Sequence, residues 1–380
     1  MMIIAFQTFL LLLIGISIIF YCLCAICTIV FFSSIIRSED FSPTNGVSIL
    51  IPVCGIDEGA RENWISFCTQ DYENYEVLFG VMSSEDPAIP VLKEVVAEFP
   101  DRAKLFVGLE PRGINHQISN LSYLLEKAAQ EIVIFADSDI RVTPDYLSSV
   151  TAPLADPNIG VVTCGYVDRT PKFLGAAVAA LGRCTDFLPS VLIARAIDGG
   201  LRFSLGPTIA TRKSVLAKIN GLQNVLDRIG SDYHIGKMAS DAGYRVELSK
   251  YILDNDCGRE TLWQVFRREL RWARTIRINR GSQYYGMGLS YGTIYCLPLL
   301  LLSGFQDWAI ILSIITIIMR TMQTFIAIYN MRRPHLICWL WALPIRDLMN
   351  LIIWVGGAFG QSVYWRGRRL QIQPGGILTD

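Results

Sequence analysis

Between Met1 and Phe32 the chain carries no charged side chain. A helix needs roughly 20 predominantly apolar residues to cross the hydrocarbon core of a bilayer. With 380 residues of which 52% are hydrophobic and a mean hydropathy of +0.37, a membrane is the expected solvent for this run. A cleaved signal peptide would open on basic residues, hold a shorter apolar core and end at a small-residue cleavage site. "MMIIAFQTFLLLLIGISIIF" has none of these, so residues 1–34 are expected to be a retained transmembrane anchor.

From Tyr285 three further apolar segments follow, "YGMGLSYGTIYCLPLLLLSGF", "WAIILSIITIIMRTMQTFIAIYNM" and "HLICWLWALPIRDLMNLIIWVGGAFG", and a C-terminal membrane group is expected over residues 285–364. Excess Lys and Arg mark the cytoplasmic flanks of membrane segments. Arg37 follows the first segment, Arg332 and Arg333 the third, and "WRGRR" (residues 365–369) the last, whereas "SGFQDW" joins the second and third without a positive charge. This places the middle of the chain and a basic tail, residues 365–380, in the cytoplasm. A single crossing by the last segment would put the tail outside. Two short halves or a re-entrant hairpin are therefore expected, with Arg346 and Asp347 in its middle as an ion pair held against protein or at the interface.

Lys and Arg (34) balance Asp and Glu (34), so nothing implies nucleic-acid binding. Of ten cysteines, Cys22, Cys24 and Cys27 lie in the anchor and the others are scattered without a C-x-x-C pair, the pattern of reduced thiols rather than disulfides or metal. His116, His234 and His335 are too dispersed to argue a zinc site.

Over residues 45–262 short β-rich runs, "GVSILIPV", "YEVLFGV", "AKLFVG" and "EIVIFAD", alternate with runs of helical periodicity. That rhythm predicts an α/β domain with a mostly parallel, Rossmann-like sheet, whose ligands bind beyond the carboxyl ends of the strands. Asp86 follows the second run there, and Asp137 and Asp139 close the fourth. Neither place has a glycine-rich dinucleotide turn or a P-loop lysine. Carboxylates alone repel phosphate, so a D-x-D at a strand end makes sense if it holds a hard divalent cation, Mg²⁺ or Mn²⁺, shared with phosphate oxygens. The D-S-D alone is equally compatible with Asp137 capping a turn and Asp139 in solvent. Asp232, in "GSDYHIGKMASDAGYRVEL", opens a helical pattern and could be its cap. It gains weight by lying between "LGPTIATRKSVL", read as a strand and helix start around a Gly-Pro turn, and "RRELRW".

Taken in order, "EDPAI", "DSDIRV", "SDYHIGK" and the R-x-x-R-W of residues 268–272 resemble the successive aspartate motifs and Q/R-x-x-R-W motif of processive and lipid-directed glycosyltransferases of GT-A fold, over nearly the whole chain. "GVSILIP", "SFCTQDYENYEVLFGV", "PDYL", "FLPSVL", "ELRWARTIR" and "WRGRRLQI" are similar to the ceramide glucosyltransferases and the bacterial enzymes that glycosylate hopanoids. "DSD", "FLPSVL" and "ELRWARTIR" lean toward the hopanoid branch. The resemblance implies a UDP-sugar donor (UDP-N-acetylglucosamine or UDP-glucose), a membrane-lipid acceptor, and a multi-pass protein of the bacterial inner membrane with a cytoplasmic catalytic domain. It also implies Mg²⁺ or Mn²⁺ on Asp137 and Asp139, and Asp86, Gln117, Asp137 and Arg271 at the donor. Asp232 is implied as the general base of an inverting transfer, with Arg268, Arg271 and Trp272 completing the catalytic set. Gln117 is a departure, because relatives usually have a lysine at that point of "GINHQISNL"; donor affinity or choice is where this would register.

"RRELRWARTIRINR" lies within residues 263–282, expected as a basic amphipathic interfacial helix. At 100° per residue Arg267, Arg268, Arg271, Arg274 and Arg277 share one arc and the apolar residues another, interrupted by Glu269. Such a helix can lie over anionic lipid or wall an active site. "FLGAAVAALGRCTDFLPSVLIARAI" reads either as part of a lipid entrance or as a core helix. Two other functions share some of these features. A polysaccharide synthase that secretes its polymer needs more membrane helices than three or four, and a transporter with a nucleotide-binding domain needs more polar groups in its spans.

Overall fold

The computed structural model of the chain describes residues 1–34, 45–256, 258–365 and 367–379; Arg37 and Arg366, which bear on orientation, lie outside them. The chain divides into two compact units, each built from separate stretches of sequence. Met1–Ile35, Thr170–Ala196 and Arg259–Gln361 form one; Ile36–Arg169, Ile197–Gly258 and Ser362–Asp380 form the other.

The second of these is the α/β unit. Its strands β1 (Val47–Val53), β2 (Tyr75–Val81), β3 (Ala103–Val107), β4 (Ile132–Ala136), β5 (Ile140–Arg141), β6 (Ile159–Asp168), β7 (Thr208–Arg212) and β8 (Arg245–Asn255) make one sheet of order β3-β2-β1-β4-β7-β6-β8-β5. The runs read from the sequence are β1 to β4, parallel throughout and joined by the helices Ala60–Cys68, Ala88–Glu98 and His116–Lys127. All of β2 and β4 is buried, as is β1 except Pro52. That is why these strands read as continuous apolar runs rather than alternating ones. β7 runs antiparallel between β4 and β6, β6 pairs in parallel with β8, and β5 closes the edge antiparallel to β8. The sheet is mixed and mostly parallel, as expected for a GT-A fold.

One charge sits inside this packing. Glu76 of β2 accepts hydrogen bonds from Ser48 Oγ (2.8 Å), the Ala129 N–H (2.7 Å) and Lys104 Nζ (2.9 Å), clasping three neighbouring strands and the turn before β4. Burial alone would push its carboxyl up, but these donors outweigh it and hold the group below its ordinary value.

Residues 362–379 also belong to the α/β unit. They form β9 (Ser362–Trp365), β10 (Arg368–Ile372) and β11 (Leu378–Thr379), a small antiparallel sheet where a basic tail was expected. It is stitched to the segment leading into the helix Ser231–Asp241: the Leu378 N–H donates to Asp227 O (2.7 Å), the Ile229 N–H to Gly376 O (2.9 Å) and the Arg228 guanidinium to Gly375 O (2.8 Å).

The other unit is helical. By length and composition Met2–Ser33, Leu174–Ile197, Asp307–Asn330 and Pro334–Gly357 could cross a membrane. Gln283–Ser290 and Gly292–Ser303, bent by 59° at their junction, would make a fifth span if taken as one. The second of these helices buries every residue from Gly175 to Thr185, which favours the core-helix reading of this segment, and it contains a π turn at Arg183–Phe187. The last segment is a 3₁₀ stretch, Pro334–Ala342, running into the α-helix Leu343–Gly357. The expected Arg346–Asp347 pair does not form, because successive helix residues do not face each other. Arg346 bonds to Glu269 and Asp186, and Asp347 to Arg320.

Candidate active site

The carboxyl end of β4 and the start of the helix Ser231–Asp241 bring two of the expected aspartates to one place. Gly206 stands between them: a methyl group on its Cα would lie 3.2 Å from Asp232 Oδ2 and 3.9 Å from Asp137 Oδ2. Asp137 is oriented twice. Its Oδ1 accepts from Gln117 Nε2 at 2.8 Å, and its N–H donates to Pro207 O at 3.3 Å. Gln117 therefore contacts the D-x-D itself, with a neutral amide where a lysine would bring a charge.

Asp232 does not cap its helix. The residue before the helix is Gly230 (φ 64°), which has no side chain to cap with, and Asp232 is the second helical residue. Two features fix it. Ser204 Oγ donates to Asp232 O at 2.7 Å. Gly236, one turn on, lies so close to the chain that a Cβ there would stand 2.2 Å from Ser204 N, so the helix packs directly on the 203–204 backbone. Gly206, Ser204 and Gly236 were not singled out in the sequence; the Gly-Pro pair was the one signal, and it read as a turn.

Asp139 lies between β4 and β5, and its carbonyl accepts from the Asp256 N–H at 3.1 Å. Two residues on, Arg141 donates to Asn63 Oδ1 (2.8 Å), Gly59 O (3.3 Å) and Asp256 Oδ2 (3.1 Å), pinning the strand after the motif. Among the described residues no group of three His, Cys, Asp or Glu side chains is placed to hold a metal ion. A cation here would rest on the two D-x-D carboxylates and take its remaining oxygens from outside the protein.

Asp86 is largely committed to the chain. Both of its carboxylate oxygens accept from the Gly55 N–H (3.1 and 3.0 Å), and Oδ1 also accepts from the Ala88 N–H (2.9 Å). A carboxylate has about four lone-pair sites, so these two donors leave part of its acceptor capacity for a ligand. The C-terminal sheet reaches the Gln117 side as well: Arg368 donates to Ile114 O at 3.1 Å and its Nη1 lies 2.8 Å from His116 Nε2.

The R-x-x-R-W residues belong to the helical unit. Their helix, Leu262–Arg280, opens with a capping box between Thr261 and Gln264. Of the arginines expected on one basic face only Arg267 is exposed. Arg268 pairs with Glu260 and lies over the Trp272 ring at 5.3 Å, and Arg271 is partly buried. Glu269 is no interruption of a surface but a buried partner of Arg346 (2.7 Å). Arg277 donates to Ala358 O (2.8 Å) and Gly360 O (2.5 Å), tying down the end of the helix Leu343–Gly357.

The solved structure of the Pyrobaculum calidifontis mannosyltransferase PcManGT, in complex with GDP-Man and Mn²⁺, is similar in fold: TM-score 0.51 and 17% identity over 91% of this chain and 97% of that one. Ceramide glucosyltransferase 1 of Caenorhabditis elegans is 24% identical over 365 residues, 92% of this chain and 77% of the relative. Ceramide glucosyltransferase 3 of the same organism is 26% identical over 252 residues, 63% of this chain and 52% of the relative. The model of glycosyl transferase family 21 matches residues 8–378. A GT-A-like sheet with its aspartates at the strand ends, and a family match that runs through both units, make this chain a member of glycosyl transferase family 21.

Proposed function

We propose that the protein is a membrane-bound inverting glycosyltransferase that moves one sugar from UDP-N-acetylglucosamine or UDP-glucose to the hydroxyl of a membrane lipid, a bacteriohopanepolyol or a ceramide-like lipid. The observation that carries this reading is the approach of Asp137 and Asp232 to the same small residue, Gly206. A carboxylate on the D-x-D and a second carboxylate close to the same glycine suit a reaction in which diphosphate leaves on one side and a hydroxyl attacks from the other.

Asp137 and Asp139 hold Mg²⁺ or Mn²⁺ in this reading; hard oxygen ligands and only two of them suit a cation that is completed by the donor. Mn²⁺ accompanies GDP-Man in the Pyrobaculum mannosyltransferase complex. When bound, such an ion supplies neutralising charge to the leaving diphosphate. Gln117 keeps Asp137 turned toward it, and Asp86 and Gln117 border the nucleotide. Asp232 takes the proton from the acceptor hydroxyl as that oxygen attacks the anomeric carbon opposite the leaving group, which inverts the configuration. Arg271, with Arg268 and Trp272, stabilises charge developing on the diphosphate.

The protein sits in the bacterial inner membrane with its α/β unit in the cytoplasm, where nucleotide sugars are made. The hydrogen bonding of residues 362–379 into that unit supports an even number of complete crossings between Arg259 and Gln361. One of the three C-terminal segments then enters the membrane without crossing it; Arg332 and Arg333 on the cytoplasmic side make that the last, where the 3₁₀ stretch Pro334–Ala342 runs into the helix Leu343–Gly357.

Membranes from cells expressing the protein, incubated with each labelled UDP-sugar and extracted with organic solvent, should yield a lipid carrying a single sugar. A labelled polymer, or no lipid label from either donor, would overturn the reading.

A further inference from the structure

We infer that the π turn at Arg183–Phe187 and the ion pairs it anchors are a positioning device for the R-x-x-R-W helix, with Glu269 and Arg346 as its positioning residues. The inference rests on the reading of that motif as catalytic.

Glu269 lies inside the motif, one residue after Arg268 and two before Arg271, yet it points away from the role of its neighbours. It is 7% exposed and receives Arg346 Nη1 at 2.7 Å. Arg346 is 6% exposed, and its Nε donates at 3.0 Å to Asp186 Oδ2. Asp186 lies in the π turn and also receives Arg320 Nη2 (2.7 Å) and Asn350 Nδ2 (2.8 Å). A run of charge-assisted bonds therefore connects the motif helix to three other helices of its unit.

The same turn reaches the motif by a second route. Arg183 lies over the Trp272 ring at 5.7 Å. A π turn inserts one extra residue into a helix and re-aims the residues on its C-terminal side. Here the turn carries Arg183 to the motif tryptophan and Asp186 to the partner of the motif glutamate, three residues apart.

Charges held out of water cost more than they return unless each is paired with good geometry, and well-packed apolar residues would serve stability at least as well. An arrangement that fixes one rotation of a helix is a use that packing alone does not provide. Glu269 and Trp272, three positions apart, are held by different partners, so the helix can neither roll nor slide without breaking one of them. Gly182 completes the fit: a Cβ there would stand 2.1 Å from Arg346 Cζ, so only glycine lets the guanidinium cross against the helix.

The test uses the full-length protein in detergent, with transfer to lipid, donor KM, the metal requirement and the thermal midpoint measured for Glu269→Gln, Glu269→Asp, Gly182→Ala and Arg271→Ala. Glu269→Gln and Gly182→Ala disturb the same contact, one by removing charge and one by steric displacement alone. Each should lower kcat per folded molecule about tenfold or more, with donor KM and the metal requirement within about threefold of the parent. Glu269→Asp, which keeps the charge, should recover part of the loss. A normal kcat per folded molecule in Glu269→Gln and Gly182→Ala, or a loss that only tracks the fall in thermal midpoint, overturns the positioning role. Arg271→Ala separates the two levels. If it retains turnover, the catalytic reading of the motif fails and the inference with it. If it loses turnover while Glu269→Gln does not, the inference alone fails.

Discussion

Substituting Gly206 by alanine separates the chemistry of the site from its stability. Gly206 is outside the left-handed region, so alanine meets no left-handed strain there. Replacing glycine at a compatible position stabilises by about 0.4–1 kcal/mol through the unfolded chain. Against this, the new methyl would stand 3.2 Å from Asp232 Oδ2, and that carboxylate must yield slightly; Asp137 Oδ2, at 3.9 Å, is in ordinary contact. The thermal midpoint should therefore change little. Function should not survive so well, because the methyl crowds both the candidate base and the D-x-D, the two groups between which the proposed transfer runs. A displacement of about 1 Å costs on the order of 10²-fold in rate, or about 2.7 kcal/mol of barrier; the slighter shift demanded here makes that the upper bound, and a loss of about tenfold is expected. The assay is initial-rate transfer to lipid by purified protein at saturating donor and acceptor, with the thermal midpoint read in the same detergent. A kcat within threefold of the parent would refute the placement of the reaction at Gly206. So would a loss matched by a proportionate fall in the midpoint, since the effect would then be on folding.

Asp232→Asn should abolish transfer while UDP binding stays within a few-fold, because a general base acts on the acceptor proton; near-normal turnover would put the base elsewhere. Asp137→Ala should remove donor binding and metal dependence together and Asp139→Ala should weaken both, as calorimetry with UDP and Mn²⁺ would register; unchanged Mn²⁺-dependent binding in Asp137→Ala would exclude the D-x-D as the metal site. Arg277→Gln frees two carbonyls at the end of Leu343–Gly357 and should cost about 1–2 kcal/mol of stability without altering flotation on anionic liposomes; lost flotation at an unchanged midpoint would restore a lipid role. Glu76 gives a pH signature. Its folded-state value is depressed, so its stabilisation is present above the ordinary value of about 4.3 and is lost as pH falls through the lower folded value. The parent should lose thermal stability in that acid window, and Glu76→Gln, about 2 kcal/mol less stable at neutral pH, should lose less there; parallel pH profiles would contradict this.

The parallel half of the sheet was legible because β1 to β4 are short, β-branched and separated by helices with clear periodicity. β6 and β8 were not read, although both are long. β6 has glycine and cysteine among its apolar residues, and β8 alternates charge into a register broken by two irregularities, so neither shows a clean period. β9 to β11 are too short to signal themselves, and from sequence alone they read as a tail. For the site, motif order singles out Asp137 and Asp232, and the structure brings both close to Gly206, but no spacing rule reveals which small residue the two carboxylates share. The arginine helix shows the opposite failure. A helix does form there, Leu262–Arg280, yet a helical wheel sorts charged from apolar faces without knowing that Arg346 waits for Glu269 and the Ala358 carbonyl for Arg277. Partners supplied by distant segments are invisible to local periodicity.

Transfer from a nucleotide sugar to a lipid at a metal-dependent pair of aspartates is the proposal on which the rest depends. The most direct measurement uses purified protein in vesicles containing a hopanoid polyol or ceramide, given labelled UDP-N-acetylglucosamine or UDP-glucose with Mn²⁺, with Mg²⁺, or with chelator. The expected product is a lipid bearing one sugar of inverted configuration, formed with either metal or one of them, lost in chelator and absent in Asp232→Asn. Undiminished transfer in chelator, or label released only as free sugar or built into polymer, would contradict it.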